Sequence, residues 1–303
     1  MRASPERLLD QPLRARLVSR YGDDVQHWLD ELPAVLTALA ARWELELVEL
    51  IPRGSMSVVI RSVTAQGHAV VLKVCPDRDR LAQEANALER WSTTHMVGAH
   101  AADTSIGALL LEAIEPGTML AEFDQYPGAA IAQLLHQVHT SGAPDAAYPP
   151  VSERVSNLYG SLDRHRRLHP ELTEVIPPDL FERGRRLAHR LANETSSTVL
   201  LHGDLTPVNV LDGGTARGLV AIDPAPCVGD PTFDAVDLLF WKADRVDTIR
   251  ERAQTLATHM DVEADRLFNW AVAFACTIAS ELSERPNGFD ARFDTAFALA
   301  SMA

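Results

Sequence analysis

Two apolar runs in this chain each end in an aspartate, and their spacing constrains the fold more than any other feature. Residues 199–211 read VLLHGDLTPVNVL and residues 219–224 read LVAIDP. Each run is strand-like and delivers a carboxylate, Asp204 or Asp223, into a turn, and Asn209 follows Asp204 by five residues. That is the spacing of the Asp and Asn in a kinase catalytic loop. There, Asp204 can accept a proton from a substrate hydroxyl, while the Asn209 amide oxygen and the Asp223 carboxylate offer hard oxygen ligands to Mg²⁺. Any one of these residues could be a plain turn former, because Asp and Asn side chains bond nearby backbone. All three beside two apolar runs point to chemistry.

A chain of 303 residues that is 46% hydrophobic can bury a sizeable core and is long enough for two lobes. No apolar run approaches the roughly 20 residues needed to cross a bilayer, and Met1-Arg2-Ala3-Ser4-Pro5-Glu6-Arg7 lacks the apolar centre of a signal peptide. The expectation is a cytoplasmic protein without a membrane partner. Cys75, Cys227 and Cys276 lack paired spacing and read as buried thiols. The net charge of -14 argues against nucleic acid and favours a cationic ligand, with solubility alone an equally good account of it.

Hydrophobic periodicity predicts helices from about 10 to 43, with Pro33 near a helix start. Strands follow at 58–63 and 69–74 around a turn at 65–68, then a helix over 78–91 and a strand over 108–114 that runs into the turn Glu115-Pro116-Gly117. Beyond it the pattern is helical near 119–141, 151–168, 179–194, 233–241, 246–259, 263–284 and 289–301. This order divides the chain into a β-rich lobe with a helical preface, 1–113, and a larger helical lobe, 114–303.

Lys73 and Lys242 are the only lysines. Lys73 lies inside the apolar run Val70-Val71-Leu72-Lys73-Val74, where an unpaired ammonium is costly and a phosphate or carboxylate partner is expected. On the kinase reading the carboxylate belongs to the following helix, Glu84 first and Glu89 second. Arg53-Gly54-Ser55-Met56-Ser57 can cover a phosphate with backbone N–H groups, although an ordinary hairpin turn accounts for it nearly as well. His202 reads as a packing and hydrogen-bonding residue. Asp230 or Thr232 reads as a helix cap, with support of the catalytic loop as the functional alternative for Asp230.

His202-Gly203-Asp204-Leu205 with Asn209, Ile222-Asp223-Pro224, and Gly229-Asp230-Pro231 with Asp234 resemble the aminoglycoside phosphotransferase family of small-molecule kinases. Trp43-Glu44-Leu45, Leu72-Lys73 and residues 221–234 look like its streptomycin 6-phosphotransferase and hydroxyurea phosphotransferase branch. The resemblance implies an α+β, bilobal protein-kinase-like fold, with a small β-rich N-terminal lobe preceded by helices and a larger helical C-terminal lobe. It implies ATP and Mg²⁺ as cofactors, held by Lys73, Glu84, Ser55, Met56 and Ser57 on the phosphate side and by Asn209 and Asp223 at the metal. Adenine is expected at the hinge from Leu111 to Ile114, including Glu112 and Ile114, through backbone groups. The implied reaction is O-phosphorylation of an aminoglycoside, streptomycin at position 6 first, with Asp204 as base. A polycationic acceptor needs carboxylates, for which Asp230, Asp234, Asp237 and Glu281 are the candidates, each with a solvated surface charge or a helix cap as the alternative. Gly203 replaces the Arg and Pro224-Ala225 the Phe-Gly of protein kinases, which argues against a protein substrate. A metabolic kinase acting on another hydroxylated amine, amino acid or sugar, or on hydroxyurea, and a catalytically silent nucleotide-binding protein are the alternatives.

Overall fold

The computed structural model describes residues 8–52, 56–195 and 197–303. The β-branched and leucine-rich runs of the first third form a five-stranded antiparallel sheet. Its strands are β1 (Leu45–Ile51), β2 (Val58–Thr64), β3 (Ala69–Val74), β4 (Ala99–Asp103) and β5 (Ala108–Glu112), in the order β1-β2-β3-β5-β4. The β2–β3 hairpin sets Val59 opposite Lys73 and closes on Gly67, whose φ of 84° suits the turn and whose N–H donates to the Thr64 carbonyl. Helix α1 (Gln11–Tyr21) is capped by Asp10, which accepts from the Leu13 N–H at 2.9 Å, and α2 (Val25–Arg42) follows it. Their leucines, Leu13, Leu17, Leu29, Leu32, Leu36 and Leu39, bury against Val58, Ile60 and Leu72 of the sheet. Helix α3 (Arg78–Leu88) starts at Asp77, which caps the Arg80 N–H at 3.0 Å.

The chain divides into two compact units, Met1–Glu89 with Val97–Glu115, and Arg90–Met96 with Pro116–Ala303. The second is built on helices α4 (Gly128–Ser141), α5 (Val151–Leu168), α6 (Glu171–Val175), α7 (Pro178–Asn193), α8 (Val236–Phe240), α9 (Val246–Met260), α10 (Ala264–Ser283) and α11 (Ala291–Ala300). Helix α10 is apolar nearly all round and buried through Trp270, Ala271, Ala275 and Ala279, as a central helix must be. Two small ladders, β6 (Val199–Leu201) with β9 (Cys227–Gly229) and β7 (Val210–Asp212) with β8 (Leu219–Ala221), carry the Asp204 and Asp223 turns.

Three expectations on local structure are corrected. Pro33 lies inside α2 rather than at a helix start; the helix runs through because its leucine face is fully buried, and Thr37 Oγ1 donates to the Pro33 carbonyl at 2.8 Å. The segment 119–141 opens as a 3₁₀ turn, Leu120–Glu122, and becomes α4 only after Pro127; likewise 233–241 is a 3₁₀ turn, Pro231–Ala235, leading into α8. Strand β4 departs from the sequence pattern, since AHAAD carries no alternation of apolar and polar residues.

Candidate active site

The loop between β6 and β7 is held by its own backbone. The Thr206 N–H donates to the Asp204 carbonyl and the Asn209 N–H to the Thr206 carbonyl, both at 2.9 Å, closing a tight turn onto the 3₁₀ segment Pro207–Asn209. Asn209 Nδ2 donates to the Asp204 carbonyl at 2.9 Å and to Asp204 Oδ2 at 3.1 Å. This orients the amide so that its nitrogen faces Asp204 and its oxygen stays available. The register of β7 with β8 pairs Val210 with Ala221, and the Ile222 N–H donates to the Asn209 carbonyl at 2.9 Å. Asn209 and Asp223 are therefore delivered side by side at the end of one ladder. Asp223 has a φ of 58°, a backbone conformation that costs energy outside glycine and persists where surrounding structure enforces it. An amide oxygen and a carboxylate are the hard donors Mg²⁺ prefers, with nucleotide oxygens and waters completing its shell, so these residues fit that ion.

Gly203 explains the departure from the arginine of protein kinases. Its φ is 76°, and a Cβ there would stand 2.0 Å from the Ala225 carbonyl oxygen. No side chain is tolerated at so close an approach.

Beneath the loop lies Asp234. Its Oδ2 accepts from the His202 N–H at 2.8 Å and from His139 Nε2 at 2.9 Å, and its Oδ1 from the Gly203 N–H at 2.8 Å. Burial alone would raise this carboxyl, but the His139 hydrogen bond, the nearby imidazoles of His139 and His202 and the Gly203 N–H outweigh it and hold it below the ordinary value. His202 receives the Asp204 N–H on Nδ1 at 3.3 Å and so donates from Nε2 to the Ile222 carbonyl at 2.9 Å. Burial lowers its pKa, in keeping with a neutral ring that ties the Asp204 turn to the Asp223 turn.

Asp230 is 1% exposed. Its Oδ1 accepts from the Thr232 N–H at 3.0 Å and from Thr232 Oγ1 at 2.6 Å, and its Oδ2 from Arg266 Nε at 2.6 Å and Trp270 Nε1 at 2.8 Å. Asp230 and Asp234, expected among acceptor contacts, are both saturated by protein donors: Asp230 acts as a cap, and Asp234, which also borders the cavity beside Asp204, supports the loop.

Asp237 and Glu281 line a cavity of about 390 Å³ together with Asp204, Arg154, Thr206 and Glu284. Asp237 is half-buried and forms no ion pair among the described residues; burial first, then the charges of Glu281 and Asp204, push its carboxyl up to about 7. Glu281 is exposed as a residue, yet desolvation raises its carboxyl above the ordinary value; the charge of Arg285 opposes this and that of Asp204 adds to it. Arg154, on α5, had no sequence signal. Its Nη2 sits 3.1 Å from Asp204 Oδ1 and its Nε donates to the Gly203 carbonyl at 2.9 Å, which aims the carboxylate.

In the first unit, Lys73 Nζ lies 2.7 and 2.6 Å from the two oxygens of Glu84, and the residues are 5% and 1% exposed. Glu89, the second choice, is exposed at the end of α3. Ser55 lies outside the described residues. Ser57 is buried, and the Met56 carbonyl accepts from Tyr21 Oη at 2.9 Å. The Glu112 N–H donates to the Gly98 carbonyl at 3.0 Å and its Oε1 accepts the Gly98 N–H at 2.6 Å; Ile114 is buried.

Residues 42–285 match the family model described as aminoglycoside/hydroxyurea antibiotic resistance kinase. The chain is 26% identical over 264 residues to the streptomycin 6-kinase of Streptomyces griseus, covering 83% of each. It is 25% identical over 271 residues to the hydroxyurea phosphotransferase of Kitasatospora aureofaciens, covering 84% of this chain and 74% of that one. Among solved structures, a choline/ethanolamine kinase family protein from Mesorhizobium loti superposes with a TM-score of 0.60 at 18% identity, over 89% of this chain and 94% of that one.

Proposed function

Since the chain belongs to the aminoglycoside/hydroxyurea antibiotic resistance kinase family, and is thus a small-molecule phosphotransferase, we propose that it phosphorylates a cationic aminoglycoside, with position 6 of streptomycin as the first acceptor. One observation carries the reading: the cavity beside Asp204 is walled by Asp237 and Glu281, acidic groups that form no ion pair among the described residues. A cationic acceptor supplies the missing positive charge. Hydroxyurea is uncharged and brings them no countercharge.

In the proposed reaction Asp204 takes the proton of the acceptor hydroxyl as its oxygen bonds to the γ-phosphorus of ATP, and the bond to the β–γ bridging oxygen breaks to release ADP. Arg154 and Asn209 hold the Asp204 carboxylate from two sides, so the base is positioned before the acceptor arrives. Asn209 Oδ1 and Asp223 would hold Mg²⁺, which when bound neutralises phosphate charge. Lys73, itself oriented by Glu84, is assigned to the α- and β-phosphates.

The test is product analysis by mass spectrometry after incubation of the protein with Mg²⁺-ATP and, separately, streptomycin, other aminoglycosides, choline and hydroxyurea. Gain of one phosphoryl group on streptomycin supports the proposal. Turnover of hydroxyurea or choline with streptomycin untouched would replace it.

A further inference from the structure

Thr206 follows Asp204 by two residues, and its backbone is pinned on both sides by the hydrogen bonds to Asp204 and from Asn209. Pro207 comes next and restricts the chain further. Its hydroxyl, however, is buried and has no hydrogen-bond partner among the described residues. A buried hydroxyl left unpaired is costly, and native proteins rarely leave one so without a ligand or a functional reason. Thr206 as a whole is half-buried and lines the same cavity as Asp204, Asp237 and Glu281. Rotation about its Cα–Cβ bond between staggered positions re-aims the hydroxyl without moving the pinned backbone.

The groups in this cavity ask for different things. Asp204 needs a hydroxyl to deprotonate, Asp237 and Glu281 favour a cation, and the Thr206 hydroxyl needs a hydrogen-bond partner. A second hydroxyl on the acceptor meets the last requirement. We propose that Thr206 is the acceptor-orienting residue of this site, bonding a hydroxyl next to the one that reacts while a cationic substituent rests against Asp237 and Glu281. The inference rests on the phosphotransferase reading and narrows its substrate class to cationic polyols with neighbouring hydroxyls.

The experiment compares Thr206→Val, which keeps the shape and removes the hydroxyl, with Thr206→Ser, which keeps the hydroxyl and removes the methyl. Measured are kcat/KM for streptomycin, Kd for Mg²⁺-ATP and Tm. The valine variant should lose about 10- to 100-fold in kcat/KM, with nucleotide Kd unchanged and Tm equal to or above that of the wild type, and the serine variant should retain activity within about threefold. Equal activity of wild type and Thr206→Val overturns the inference. So does an equal loss in both variants, which would assign the effect to packing of the methyl, or a parallel loss of nucleotide affinity. If the wild type binds Mg²⁺-ATP yet phosphorylates no cationic polyol, the substrate reading fails first and the inference falls with it.

Discussion

Asp234 and Asp237 stand three residues apart, and their carboxyls are held in opposite ways. Asp234 is closed off from solvent and receives three donors, two of them backbone N–H groups of the catalytic loop. Asp237 faces a cavity, has Asp204 and Glu281 as neighbours, and forms no ion pair among the described residues. A milder form of the contrast separates Asp230, saturated by Arg266, Trp270 and Thr232, from Glu281, which feels Arg285 as well as Asp204 and Glu284 but forms no ion pair among the described residues. A carboxylate surrounded by donors supports the fold, whereas one surrounded by other acids favours a ligand that brings a positive charge.

The largest effect expected is on the cavity side. Asp204→Ala should lower kcat by about 10²–10⁴-fold, the usual contribution of a general base, while Tm and nucleotide binding hold. Full activity would remove Asp204 from its role. Next comes the support beneath the loop: Asp234→Ala leaves buried donors unpaired and should cost about 3 kcal/mol in stability, read from denaturant unfolding, together with activity. A loss of activity without loss of stability would make Asp234 an acceptor contact after all, and the contrast would collapse.

Asp237→Asn should separate stability from function. It should raise KM for streptomycin roughly tenfold, as for a partly buried charge pair, and yet raise Tm. The sign follows from linkage: as pH rises from about 4 to 7, Asp237 ionises in the unfolded chain before it does so in the native one, so the wild type loses stability over that window. The stability gain of the variant should therefore be absent near pH 4, grow to about pH 7 and level off above. Asp234, held low, contributes in the opposite sense, with stability present at neutral pH and lost on acidification. The smallest effect belongs to Glu281→Gln, about threefold in KM and salt-dependent, because the residue is exposed. A larger loss there than at Asp237 would reverse the order of the two acids.

Much of the local chemistry is legible in the amino-acid sequence. The spacing of Asp204, Asn209 and Asp223 follows from short β-ladders with turns between them, and the lone lysine in the β3 run requires a carboxylate that Glu84 supplies. Arg154 is not legible there because nothing in VSERVSNL distinguishes one exposed-patterned arginine from another, and its partner is fifty residues away. His139 escapes a sequence reading for the same reason, its bond to Asp234 spanning ninety-five residues.

The sequence by itself determined the reaction class, because the reactive groups sit in two short turns, Asp204 with Asn209 and then Asp223, joined by β-ladders whose apolar runs are local patterns. Only the tertiary structure decided which acids near that loop are spent and which are available. That depends on donors brought in from α4, α5 and α10, and no local pattern records how many of them reach a given carboxylate.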